Sequence, residues 1–158
     1  RSLQKAIHKT DFRFTVNHAF MDVVQACAEP RRYSEDTWIT EEFMQSYAVL
    51  HEMEQAHSIE VWQGDLLIGG LYGISVGKLF CGESMFHRQP EASKMALVAL
   101  CRHLSRYDAP LIDCQMQNSY LETMGVQEWP RPAFLNQLAL LREQSFPTEC
   151  WRPQELTL

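Results

Sequence analysis

No apolar run in the 158 residues approaches the roughly 20 needed to cross a bilayer. No basic start followed by an apolar stretch marks a signal peptide. The five cysteines are odd in number and contain no CxxC pair, which disfavours both a disulfide framework and a zinc site. Reduced thiols and a cytoplasmic location are expected. The six histidines show neither metal-ligand spacing nor a partnered nucleophile, so no metal and no cofactor is expected. Positive charge is in deficit: 14 Lys and Arg face 20 Asp and Glu, net −6, which argues against nonspecific nucleic-acid binding. Internal repeats and low-complexity segments are absent. What remains is 46% hydrophobic and 11% aromatic, enough for one globular domain with a sizeable core. The chain opens on Arg1 rather than Met, so a removed upstream segment is expected.

The charge is unevenly spread. Arg1, Lys5, Lys9 and Arg13 meet only Asp11 within the first 13 residues. Arg1, Lys5 and Lys9 recur every fourth residue and form one stripe on a helix. Such a stripe suits either solvent or the phosphates of an RNA.

The patterning predicts a basic helix ending near Lys9, then a strand over Asp11–Val16 with Phe12, Phe14 and Val16 alternating. Asn17 is the expected N-cap of a helix to Ala28, and Thr40 of a helix burying Phe43, Tyr47, Leu50 and Met53. The period then changes. Ser58–Gln63, Leu66–Ile74 and Leu79–Phe86 read as strands joined by turns at Gly64-Asp65 and Val76-Gly77-Lys78, an antiparallel meander. A helix capped by Ser93 should run to about Tyr107. A short strand over Leu111–Gln115, a helix near Ser119–Met124 ended by Gly125, and a helix over Ala133–Arg142 complete the order. The tail, with Pro147 and Pro153, reads as irregular. The layout resembles the acetyltransferase (GNAT) superfamily: an α+β fold with a central, mostly antiparallel sheet flanked by helices.

Chemistry concentrates in two strands. On Leu111–Gln115, Asp113 and Gln115 project to one side and Ile112 and Cys114 to the other. A carboxylate in so apolar a strand is paired or faces a cleft. It either fixes a loop or presents, with the amide, to a substrate. On Leu79–Phe86, Gly82-Glu83 interrupts an apolar run. The glycine allows close approach or a bulge, and Glu83 either receives an ammonium group or guards an edge. Phe80, Met85, Leu97, Leu100, Leu104 and Ile112 should meet between sheet and helix as core. The junction Phe86–Ser93 has no glycine, and Pro90 removes a donor, so it lacks the backbone cradle that holds the coenzyme A pyrophosphate in acetyltransferases. Trp38 either stacks on a nucleobase or closes a helix start.

Six ordered blocks carry a closer resemblance: Asp36–Thr40, His57–Trp62, Gly69–Gly73, Leu79–Phe86, Ala92–Lys94 and Leu111–Gln115. In order and spacing they are similar to leucyl/phenylalanyl-tRNA–protein transferases, from Arg1 to about Trp151. The resemblance implies one bacterial enzyme class, an aminoacyltransferase of the N-degron pathway. Its donors would be Leu-tRNA and Phe-tRNA, with some Met transfer, and its acceptors proteins with N-terminal Arg or Lys. The product would be marked for degradation. It places Asp113 and Gln115 at the reaction centre. Phe80, Gly82, Glu83, Met85, Leu97, Leu100, Leu104 and Ile112 would line the donor pocket, with Leu71 at its edge. Trp38 would sit near the terminal adenosine, and Arg1, Lys5 and Lys9 would meet the tRNA body. A monomer is expected, away from membranes, with residues 1–158 forming a single catalytic domain and residues 1–10 its basic helix. Three departures stand out. The family's smaller N-terminal domain is absent, Leu100 and Leu104 replace commonly aromatic residues, and the loop Glu29–Asp36 is longer. A coenzyme-A-dependent N-acetyltransferase and a noncatalytic module gripping the tRNA 3′ end are the rival expectations.

Overall fold

A computed structural model describes residues 2–29, 41–109, 111–114 and 119–158. Arg1, Trp38 and Gln115, three of the expected site residues, lie outside the described residues. Six strands form one sheet in the order β5-β4-β3-β2-β1-β6. β1 (Arg13–Val16), β2 (Ala56–Gln63), β3 (Leu66–Val76) and β4 (Leu79–His87) pair antiparallel in sequence order. Gly64 and Gly77, at φ 59° and 58°, turn the two hairpins with a conformation that side chains disfavour.

From β4 the chain crosses through α4 (Ala92–Ser105) into β5 (Ile112–Asp113), which pairs parallel to β4. An antiparallel meander followed by one parallel crossover is the α+β arrangement expected of the sequence. α4 covers one sheet face because Met95, Ala96, Ala99, Leu100 and Leu104 recur at helical spacing. They pack with Ile59, Val61, Leu71 and Phe80. Complete burial of a leucine such as Leu100 or Leu104 contributes about 2–3 kcal/mol. The other face holds α2 (Phe20–Ala28) and α3 (Glu41–Glu52), where Phe20, Val23, Val24 and Tyr47 meet Tyr72 and Phe86. A Cβ at Gly69 would lie 2.6 Å from that of Ala92, so this position lets α4 approach the sheet. The basic helix α1 (Ser2–Lys9) tucks Ile7 into the α4 side and leaves Lys5 and Lys9 exposed.

Several expectations are corrected. Asn17 caps nothing: α2 starts three residues later behind Ala19, which makes no side-chain cap. Asn17 is instead left-handed, φ 55°, and its amide ties three chain segments together. Phe43 and Met53 are exposed at 47% and 58%, so α3 buries mainly Tyr47; they lie off its sheet-facing stripe. α4 begins behind Glu91 in a left-handed conformation, φ 69°, and Ser93 lies inside the helix. β5 is shorter than the apolar run. The short helix α5 (Ser119–Glu122) is followed by Gly125 at φ 91°, and α6 starts early, at Arg131–Leu141, because Pro132 is tolerated in a first turn.

The tail is not irregular. A 3-10 turn over Thr148–Trp151 leads into β6 (Gln154–Leu156), which pairs antiparallel with β1. Trp151 stacks on His57 at 4.0 Å with ring planes 3° apart, and its carbonyl accepts from Asn17 Nδ2 at 2.8 Å. A three-residue strand carries too little pattern to be read from sequence; a neighbour already in place supplies its hydrogen bonds.

Candidate active site

The site grows from a break in register. Tyr72 pairs with Ser84 but the next residue, Gly73, pairs with Gly82. Glu83 is therefore the extra residue of a β-bulge, and the bulge turns its carboxylate toward α3. There it accepts a hydrogen bond from the Tyr47 hydroxyl. Burial, reinforced by the Glu83 charge and this bond, pushes the Tyr47 phenol well above its ordinary range.

Asp113 comes to the same place from the other side. Parallel pairing sets it opposite Cys81, with Ile112 opposite Phe80. The alternation expected along β5 holds over Ile112–Cys114, since Ile112 and Cys114 join the α4-side core. Asp113 thus faces away from α4, with Cys81. Burial, together with the nearby charges of Asp113 and Glu83, pushes the Cys81 thiol up to about 11. Burial and the Asp113 charge also raise the Cys114 thiol. Two carboxylates therefore flank Cys81 on one sheet face, and the cysteines between and beside them are held as thiols.

Among the described residues, β5 pairs with β4 only at Phe80 and Cys81. From Gly82 to His87 the β4 edge runs on without a β5 partner. A Cβ at Gly82 would meet only the Asp113 carbonyl oxygen, at 3.6 Å. Directly across the ladder, a Cβ at Gly73 would strike the Cys81 carbonyl and approach the Phe80 ring to 2.7 Å. One glycine is needed for packing; the other borders open space where two parallel strands part. On the far side of that parting lie Met85 and Ile112, both half-buried, and behind them Phe80, Leu71, Leu97, Leu100 and Leu104. These last five are core, at most 7% exposed.

The structure therefore brings together Glu83, Asp113 and Gly82 at one edge, with the expected pocket residues stacked behind them. Lys5 and Lys9 sit apart, on α1 beyond α4. Sequence reading missed Tyr47 as a polar participant and Tyr72 altogether. The available signal for Tyr47 was a tyrosine on the buried stripe of a helix, since a buried phenol needs a partner. Among the described residues no cluster of three or more His, Cys, Asp or Glu side chains is arranged to hold a metal ion. No helix among them is long and apolar enough to cross a membrane.

Residues 1–139 match the sequence profile described as leucyl/phenylalanyl-tRNA protein transferase. The chain belongs to this family. A leucyl/phenylalanyl-tRNA–protein transferase of Tolumonas auensis is 84% identical over the whole chain, which spans 68% of that relative. The Aeromonas hydrophila protein of the same name is 48% identical, with 67% of its length covered. The chain thus corresponds to about two thirds of these family members. The crystal structure of PaiA N-acetyltransferase from Thermoplasma acidophilum with coenzyme A has a TM-score of 0.47 and 12% identity, over 71% of this chain and 86% of that one.

Proposed function

We propose that this edge is the aminoacyl-transfer centre of a leucyl/phenylalanyl-tRNA–protein transferase. The enzyme class follows from family membership. The donors are Leu-tRNA and Phe-tRNA, and to a lesser extent Met-tRNA. The acceptors are proteins with N-terminal Arg or Lys, marked for degradation by the added residue, in the cytoplasm and by a monomeric enzyme. The observation that carries the reading is the pairing of two environments across one gap: carboxylates Glu83 and Asp113 on one side of Gly82, an apolar stack on the other.

An aminoacyl ester has the same division. Its side chain is apolar, its α-amine cationic, and its carbonyl lies between them. The side chain enters between β4 and β5 past Gly82, toward Met85, Ile112 and the leucines. Glu83 receives the α-ammonium. Asp113, with Gln115, faces the acceptor's terminal amine, whose ordinary pKa is about 7.7–8.0. The amine must lose a proton to attack, and Asp113 takes it. The amine nitrogen bonds to the carbonyl carbon, the bond to the adenosine 3′-oxygen breaks, and that oxygen leaves with a proton. The ester is already activated, so no covalent enzyme intermediate is needed. Holding both substrates together supplies much of the rate. An apolar slot discriminates by only about 1–3 kcal/mol per methylene, which accounts for a donor set of Leu, Phe and Met. Trp38 would stack near the terminal adenosine, and Arg1, Lys5 and Lys9 would meet tRNA phosphates.

The test is transfer of radiolabelled Phe from Phe-tRNA to a peptide beginning with Arg. It uses the chain alone and the chain extended to the length of its Tolumonas auensis relative. Label in the peptide is expected from the extended protein. No label from either would overturn the reading.

A further inference from the structure

Tyr72 lies in the middle of β3, immediately before the bulge that turns Glu83. Its side chain is wholly buried, and its hydroxyl is one of three buried side-chain polar atoms without a hydrogen-bond partner. The ring meets Tyr47 edge-on at 5.0 Å and Phe20 at 6.0 Å. The hydroxyl sits in the field of Cys27, Tyr47 and Glu83.

A lone buried hydroxyl costs stability relative to the same ring without it. The surrounding cluster takes plain phenyl rings elsewhere, at Phe20 and Phe86. Packing alone therefore gives no reason for a phenol here. The hydroxyl's neighbours supply one. The Tyr47–Glu83 pair leaves acceptor capacity on the carboxylate, which offers about four lone-pair sites.

We propose that Tyr72 is a positioning residue for Glu83: its hydroxyl donates to the carboxylate when the donor's α-ammonium draws Glu83 toward the gap. In the free protein the phenol is held in waiting by the strand and by two edge-on rings. In the loaded site Glu83 is gripped by Tyr47 and Tyr72 while it holds the ammonium. A strand position is suited to this, because its backbone is fixed on both sides by the sheet. The inference rests on the role given to Glu83 above.

Tyr72→Phe is the test, measured by steady-state transfer from Phe-tRNA and by thermal unfolding, in the extended protein. Expected is a rise of about tenfold in KM for Phe-tRNA, the size of one hydrogen bond to a charged group, with the KM for the acceptor peptide unchanged. The melting temperature should stay level or rise, since an unsatisfied group is removed. A structural role moves the other way: a lower melting temperature with neither KM altered would overturn the proposal. An unchanged KM for Phe-tRNA at any melting temperature would also overturn it. Glu83→Gln separates the two levels of the reading. Inactive unsubstituted protein sinks the transferase reading, and normal Glu83→Gln sinks the role of Glu83. Active unsubstituted protein, defective Glu83→Gln and normal Tyr72→Phe sink this inference alone.

Discussion

Two glutamates on the same sheet face are treated in opposite ways. Glu60, on β2, is completely buried and saturated. Thr15 Oγ1 donates to it at 2.7 Å, the backbone N–H of His18 at 2.9 Å, and the Ser58 hydroxyl closes the set. Thr15 in turn accepts from the Trp62 indole at 2.8 Å, so the network ends in a satisfied group. Burial still pushes the Glu60 carboxyl upward against all these donors. Glu83, on β4, is half-buried beside a second carboxylate, on a bulge, at an edge that β5 abandons. A phenol without a partner stands next to it. The contrast teaches that a buried charge kept for structure is paired on every side. A charge kept for a substrate is left with unspent neighbours, at a cost the rest of the fold covers.

The comparison can be broken at several points. The largest effect is expected from Asp113→Asn, a loss of about 10²–10⁴ in transfer rate if it accepts the amine's proton. Single-turnover transfer with saturating peptide measures this, and near-normal turnover would leave Asp113 only a positioning role. Glu60→Ala should leave three donors stranded and destabilise the fold by about 3 kcal/mol, read as a shifted urea midpoint. An undiminished midpoint would show that the saturated glutamate is dispensable.

The paired glycines sharpen the contrast. Gly73→Val should cost about 3 kcal/mol or more, because the new side chain has the Cys81 carbonyl and the Phe80 ring in its way. Gly82→Val should fold with little penalty and yet lower Phe transfer about tenfold by filling the gap. Chemical denaturation and the transfer assay together decide it. Equal losses of stability at both positions would remove the gap from the argument.

The smallest effect concerns pH. Burial and the nearby His51 push the His57 ring down to about 3, from an ordinary 6.5. The unfolded chain therefore binds this proton first. The stability His57 provides is complete above about pH 6.5 and is lost as pH falls toward 3. Glu60, with its raised carboxyl, contributes with the opposite sign. His57→Phe keeps a ring on Trp151, so the difference in urea midpoint between pH 7 and pH 4.5 should narrow by the equivalent of about 1–2 kcal/mol. A gap as wide as in the unsubstituted protein would place the acid sensitivity elsewhere.

Much of the architecture was legible because period is local. The two hairpins, α4 and the parallel return to β5 follow from alternation, glycine turns and helical spacing. The strand alternation that set Asp113 against Ile112 and Cys114 was equally readable. Other features depend on distant partners. Asn17 read as a helix cap because its neighbours suit one; its amide is claimed instead by His57, Ser58 and Trp151. Phe43 and Met53 read as core because they are large and apolar, while their helix buries mainly Tyr47. Gly82-Glu83 read as an oddity in an apolar run, with bulge and edge both open, since a bulge exists only against a particular partner strand.

By itself the sequence determined the family, the α+β class, the order of elements and the residue types available for transfer: Asp113, Gln115, Glu83 and an apolar set. These are properties of short windows and their succession. Only the tertiary structure decided that Glu83 turns toward Tyr47, that Gly82 borders a gap while Gly73 fills a contact, and that the tail adds a strand beside β1. It also left the Tyr72 hydroxyl without a partner. The reason is physical. Register, burial and hydrogen-bond satisfaction are set by which atoms arrive from far along the chain, and no local pattern specifies them.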